Sequence, residues 1–178
     1  MTDLKLAYYG NPILRKKAKP VKTFDDALKA YVKSLIEFVE NDDTVGGVAA
    51  PQLHRSLRVF VAQPPDYDEE TGDWIEGPAK AYINPVIKTK SPEVWDYEEG
   101  CISIPKLYAK VPRYWAITVE YQDVDGNFHT EELKGYPARV FQHEYDHLNG
   151  VLFIDRIMGK PRQALEPKLR EIKEKYSS

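Results

Sequence analysis

Gln142-His143-Glu144-Tyr145-Asp146-His147-Leu148 decides how this chain is read. On a helix, residues four apart are separated by about 40° around the axis. His143 and His147 therefore share a face and can grip one divalent ion, with Glu144 close enough to handle a proton of a water at that ion. H-E-x-x-H on a helix is a signal for metal-assisted hydrolysis. Which hydrolysis depends on the third ligand.

Working outward, Pro137 suits the first turn of that helix and Asn149-Gly150 its end, giving about a dozen residues. Upstream, Trp115 to Tyr121 and Asn127 to Leu133 read as strands, and Asp125-Gly126 between them as a type I′ hairpin turn. Val151 to Ile154 reads as a short strand after the helix. Leu57 to Ala62 and Ala81 to Ile83 read as two further strands. Near the N-terminus Tyr9-Gly10-Asn11-Pro12 is a turn. Thr23 is placed to cap a helix, with Asp26 three residues on, and apolar residues from Phe24 to Val39 follow helical spacing to about Glu40. Residues 64–79 carry six acidic side chains (Asp66, Asp68, Glu69, Glu70, Asp73, Glu76) and no basic one, which reads as a solvated loop with Trp74 packing back. Strands dominate the middle and the motif helix comes late, so the expected class is α+β.

At 178 residues the chain is expected to form a single domain over 1–178. Its 42% hydrophobic and 30% charged residues are ordinary for a globular protein, and a net charge of −3 argues against wholesale nucleic-acid binding, DNA included. No apolar run is long enough for a membrane span. The start, Met1-Thr2-Asp3-Leu4, shows no secretory signal. The one cysteine, Cys101, excludes an intramolecular disulfide and fits a reducing compartment.

No histidine follows His147, so the usual downstream third ligand of an H-E-x-x-H protease is missing; Asp155 and Glu166 are the acidic residues there to consider. Glu99-Gly100-Cys101-Ile102-Ser103 offers a thiolate instead. Two imidazoles, one thiolate and a water make a four-coordinate catalytic site. Taken alone, Cys101 reads first as a small buried side chain, and its setting is what favours the ligand.

Three motifs in order resemble the peptide deformylases: the glycine-rich stretch ending Ala49-Ala50-Pro51-Gln52, then Glu99-Gly100-Cys101-Ile102-Ser103, then Gln142 to Leu148. Gly10-Asn11-Pro12-Ile13-Leu14-Arg15, Asn84-Pro85 and Val151-Leu152-Phe153-Ile154-Asp155 extend the likeness over about residues 6 to 158. The resemblance implies antiparallel sheets packed around a central metal-binding helix, with a helix near each end. It implies removal of the formyl group from the N-terminal formyl-methionine of newly made proteins in the bacterial cytoplasm. The metal ligands would be Cys101, His143 and His147, and the ion Fe2+, with Zn2+, Ni2+ or Co2+ accepted. A water on the ion would attack the formyl carbon, with Glu144 as general base and then general acid. The Gln52 amide and the Ile102 backbone N–H would stabilise the oxyanion. Glu99 would pair with Arg113 to hold the cysteine loop.

Substrate contacts can be placed too. Gly47 and Gly100 let a peptide backbone approach closely, and Gly46 beside them is a further substrate contact. Tyr136 and Val140 share the helical face of the ligands and, with Tyr97 and Ile102, are candidates to line a methionine pocket. The first motif departs from the family's Gly-hydrophobic-Gly pattern: Val45 replaces the first glycine and Gly46 the bulky residue, which should open one wall of the methionine pocket. His54 stands where many relatives have glycine, and Tyr108 where many carry arginine; His54 and His129 read as non-ligands. Residues 160–178 carry six basic and three acidic side chains. This basic helical tail is a candidate for transient contact with ribosomal RNA.

Overall fold

The computed structural model describes residues 4–176. Its centre is a four-residue run, Val59-Phe60-Val61-Ala62, buried at every position. A strand buried on both faces needs a cover on each, and alternate residues go to different clusters. Val59 and Val61 join the core of helix α1 (Asp26–Glu40), packing with Leu28, Val32, Leu35 and Val39. Phe60 and Ala62 face the other way, towards Ala138, Phe141 and Leu148 of helix α2 (Gly135–Leu148).

This run is β2 of a five-stranded antiparallel sheet. Its strands are β1 (Gly47–Ala49), β2 (Val59–Ala62), β5 (Lys80–Lys90), β8 (Ala116–Gln122) and β9 (Phe128–Lys134), in that spatial order. A hairpin of β3 (Pro65–Asp68) and β4 (Asp73–Glu76) stands apart, and β6 (Val94–Cys101) pairs with β7 (Ile104–Tyr114) in a second two-stranded sheet. The α+β class, with antiparallel sheets around the motif helix, is as expected. Helix α2 is held between two sheets: Ala138, Phe141 and Leu148 face the large one, and Arg139 reaches the backbone of β6 and β7. On the outer side of β7, Ile104, Leu107 and Val111 pack with Leu152, Phe153 and Ile154 and with Leu169 and Ile172 of helix α4 (Glu166–Tyr176).

Several local expectations are corrected. Helix α1 is capped by Asp25, whose carboxylate accepts from Leu28 N at 3.0 Å, and not by Thr23. Strand β5 runs on past Ile83, because Asn84 at φ 50° and Pro85 form a bulge and the strand then resumes. The Asn84 amide stitches that bulge to Val21 and Gln122. At the β8–β9 turn only Gly126 has positive φ, so a type I′ turn is excluded. Instead Gly126 N donates to Asp123 O and the Asp123 carboxylate accepts from Asp125 N and Asn127 N.

The acidic stretch is a hairpin rather than a loop, because Tyr67 and Trp74 sit directly across β3 and β4 with rings 5.5 Å apart. Val151–Ile154 is not a strand. Phe153–Arg156 forms a 3-10 turn that buries Phe153 and Ile154 together, and Asp155 accepts from Leu152 N. The tail is helical in two pieces, α3 (Gly159–Gln163) and α4, with Pro167 in the first turn of the second.

Candidate active site

Three elements converge on the motif helix. Strand β6 ends at Cys101, where a two-residue turn, Ile102-Ser103, leads into β7. Strand β1 runs into a 3-10 turn (Ala50–Leu53) that buries Gln52. Helix α2 supplies His143, Glu144 and His147. A cavity of about 610 Å3 opens between them, lined among others by Gly46, Gly47, Gln52, Gly100, Cys101, Ile102, Tyr136, Val140, His143 and Glu144. His147 lies behind it, 1% exposed. Tyr97 is not part of the lining; its ring packs against Tyr136 at 6.0 Å from outside.

One donor atom each from Cys101, His143 and His147 lie within 4.8 Å of one another. Cys101 Sγ is 3.5 Å from His147 Nε2. His143 Nδ1 lies 2.8 Å from Glu99 Oε1, so that nitrogen is turned to the carboxylate and Nε2 is left to face the other two donors. His147 Nδ1 and Glu144 Oε2 are buried without a hydrogen-bond partner among the described residues. Burial, with the nearby charges of His143 and Arg113, holds the His147 pKa well below the ordinary imidazole range, so that ring is in its neutral, ligating form. At His143 burial opposes the charge, but the bonds to Cys101 and Glu99 outweigh it and the pKa lies well above the ordinary value. A soft thiolate beside two converging imidazoles fits a transition-metal ion.

Burial pushes the Glu144 carboxyl up to about 7, with His143 opposing. A carboxyl so poised can take up and return a proton near neutrality. Gln52 is oriented from both sides: its Oε1 accepts from Ala49 N at 3.0 Å, and its Nε2 donates to Ser103 Oγ at 2.9 Å. The second Nε2 proton is directed at Cys101 Sγ, 3.5 Å away.

Behind the histidines lies a dense ion network. Arg113 donates twice to Glu99 at 2.9 Å and once to Asp146 at 2.6 Å. Its partner Glu99 is 8% exposed, so the pair is internal and not a surface bridge. Burial raises the Glu99 carboxyl, but His143 and Arg113 outweigh it and hold it well below the usual range. Arg139 adds a second guanidinium to Glu99 and donates to Trp95 O, Val111 O and, more distantly, Tyr97 O. Ser103, Arg139 and Asp146 were not singled out from the sequence. Arg139 carried a usable signal, because it precedes His143 by one helical turn and so shares the ligand face.

Two glycines prove to be small for reasons inside the protein. A Cβ at Gly47 would lie 2.9 Å from Val61 O and 3.2 Å from Glu144 Cγ, and one at Gly100 would lie 2.6 Å from the Tyr108 ring.

The chain matches the polypeptide deformylase family model over residues 3–163. It is 48% identical over 164 residues to the peptide deformylase of Thermotoga neapolitana, covering 92% of this chain and 93% of that one. It superposes on the crystal structure of a plant peptide deformylase with a TM-score of 0.88 at 34% identity, covering 99% of this chain and 92% of that one. The Thermotoga maritima peptide deformylase structure gives 0.78 at 43% identity, over 89% of this chain and all of that one. Those proteins are named peptide deformylases, and this Cys-His-His group lies in the same fold. The chain belongs to the polypeptide deformylase family of metal-dependent hydrolases.

Proposed function

We propose that this chain removes the formyl group from the N-terminal formyl-methionine of newly synthesised proteins in a bacterial cytoplasm, releasing formate. The observation that carries this is the three donor atoms within 4.8 Å, with a buried, unpartnered carboxylate oxygen of Glu144 beside them. When bound by Cys101, His143 and His147, a divalent ion supplies the Lewis acidity that activates water and polarises the formyl carbonyl. We assign Fe2+ as the native ion on the family resemblance; the same donors suit Zn2+, Ni2+ or Co2+.

The remaining steps belong to the side chains. Glu144 takes a proton from the attacking water and returns it to the departing amine as the carbon–nitrogen bond breaks. The Gln52 Nε2 proton not held by Ser103 turns from Cys101 Sγ to the oxygen on which charge develops, and the Ile102 backbone N–H donates to the same oxygen, each worth about 2.7–4 kcal/mol by analogy with other hydrolases. Because Ala49 and Ser103 already hold the Gln52 amide, little reorganisation accompanies the reaction. Tyr136, Val140 and Gly46 line the side-chain end of the cleft, and Gly47 and Gly100 border the peptide's path. Tyr97 would act by supporting Tyr136.

We read residues 1–178 as one catalytic domain with 160–178 as a basic tail. Leu169 and Ile172 anchor that tail, leaving Arg170, Lys173 and Lys175 exposed for transient contact with ribosomal RNA. Equal co-sedimentation with ribosomes at low salt, with and without the tail, removes that role. No described helix is long and apolar enough to cross a membrane.

The main test is anaerobic purification, loading with Fe2+ or Ni2+, and assay of formate release from a formyl-Met peptide. Turnover that depends on the ion and vanishes in Glu144→Ala is expected. Absence of formate with metal bound overturns the assignment.

A further inference from the structure

Gly46 is the cleft glycine for which the fold supplies no reason. Gly47 and Gly100 are small because Val61, Glu144 and Tyr108 occupy the places of their side chains. At Gly46 an added Cβ meets no heavy atom within 4 Å. Its φ lies outside the left-handed region, so other residues can adopt it. Its carbonyl accepts from Gln63 N at 2.8 Å, an anchorage open to any side chain. Neighbouring Val45 commits its own side chain to the core with α1. A glycine that neither strain nor crowding requires loses backbone entropy on folding for no gain in packing. What it leaves is space in the cleft.

We propose that Gly46 is a specificity-determining residue: its missing side chain lets the cleft accept formylated N-terminal residues bulkier than methionine, aromatic ones included. This rests on the deformylase reading above. The next residue, Gly47, already touches the reach of Glu144, and Gly46 is about 3.8 Å further along the backbone. The first residue's side chain leaves the backbone one bond from the formyl nitrogen, and on this reading it lies at the open cleft wall beside Gly46. The cleft also presents Tyr108 and Tyr136, rings that suit an aromatic guest.

The test compares metal-loaded wild type, Gly46→Ala and Gly46→Val on formyl-Phe and formyl-Met tripeptides of otherwise identical sequence. The readout is the ratio of kcat/KM for formyl-Phe to that for formyl-Met, with metal content and Tm measured on each protein. In wild type this ratio is expected within about tenfold of unity, and in Gly46→Val at least about fivefold lower, the scale of a wall being rebuilt in an apolar pocket. Gly46→Ala is expected to raise Tm by a few degrees, since nothing opposes the added methyl. A ratio that changes less than fivefold in Gly46→Val, or a wild type outside the tenfold range, overturns the inference. Should Gly46→Val bind less metal or melt early, Gly46→Ala decides, with a twofold fall as the threshold. Formate absent from both peptides would instead sink the deformylase reading. Calorimetric affinities of the same peptides for wild type and Gly46→Val then decide the steric inference by the same fivefold threshold.

Discussion

The two walls of the cleft are built on opposite principles. On the cysteine side, β6 and β7 are tied to the motif helix by charge: Glu99 accepts from Arg113, Arg139 and His143, and Asp146 accepts from Arg113 and Arg156. On the glycine side, the approach to β1 is held by backbone bonds, Val45 N donating to Asp42 O and Gln63 N to Gly46 O, and by the packing of Val45 and Val48 into the core. The first wall has to fix ligand atoms drawn from separate elements, and buried ion pairs tolerate little displacement. The second only has to leave room. The contrast shows where such a protein can vary its substrate without disturbing its metal.

The most severe break in that contrast removes the proton carrier between the walls. Glu144→Gln is expected to lower turnover by about 100- to 10,000-fold while retaining metal, as formate release and metal analysis would show. Next comes the charged wall. Arg113→Met leaves Glu99 and Asp146 short of a buried partner and is expected to cost about 3–5 kcal/mol in urea unfolding, with weaker metal retention. An unchanged midpoint would show that Arg139 and Arg156 alone satisfy both carboxylates.

The same wall sets an acid limit. The Glu99 carboxyl is held below its ordinary value of 4.5, so its stabilisation is fully present above that pH and is lost as pH falls below it. Glu99→Gln is expected to start less stable and to lose less between about pH 5 and 3, read as a flatter unfolding midpoint against pH. A parallel curve would remove Glu99 from the account.

The glycine wall is sharpened by Gly47→Ala. Its new methyl would press on Glu144 and Val61, so kcat is expected to fall about tenfold at unchanged metal content, with about 1 kcal/mol lost in stability. Smallest of all is Trp74→Ala on the outlying hairpin. Trp74 is 60% exposed and touches Tyr67 and Tyr136 edge-on, so about 1 kcal/mol or less and a turnover within twofold are expected.

The site was legible where its chemistry is local. His143, Glu144 and His147 lie within five residues, and a helical period alone brings them to one side. Cys101 and Gln52 became readable only through the family resemblance, because nothing in their local sequence says which distant element they meet. Arg139 stayed hidden because a charged residue in a helix ordinarily faces water, and only the facing carbonyls of β6 and β7 make its burial favourable. The same limit governed the fold. Helix α1 announces itself by period, whereas the β3–β4 hairpin was masked by charge and the bulge at Asn84-Pro85 cut β5 short. Leu152-Phe153-Ile154 looks like a strand, but no strand among the described residues pairs with it, and it buries its side chains by turning.

The placement of Cys101 some forty residues before His143 has a kinetic consequence. The donor set does not exist until that intervening chain, with the whole β8–β9 hairpin inside it, has closed into a loop and the two sheets have docked on either side of α2. Closing such a loop costs entropy that only long-range contacts repay, which puts assembly of the three ligands late in folding. A Co2+ thiolate absorption band should therefore grow in with the slowest refolding phase, after helical signal has returned. An ion that recognises only this late arrangement would hold the two sheets together as a clip, and its dissociation would be the first step of unfolding.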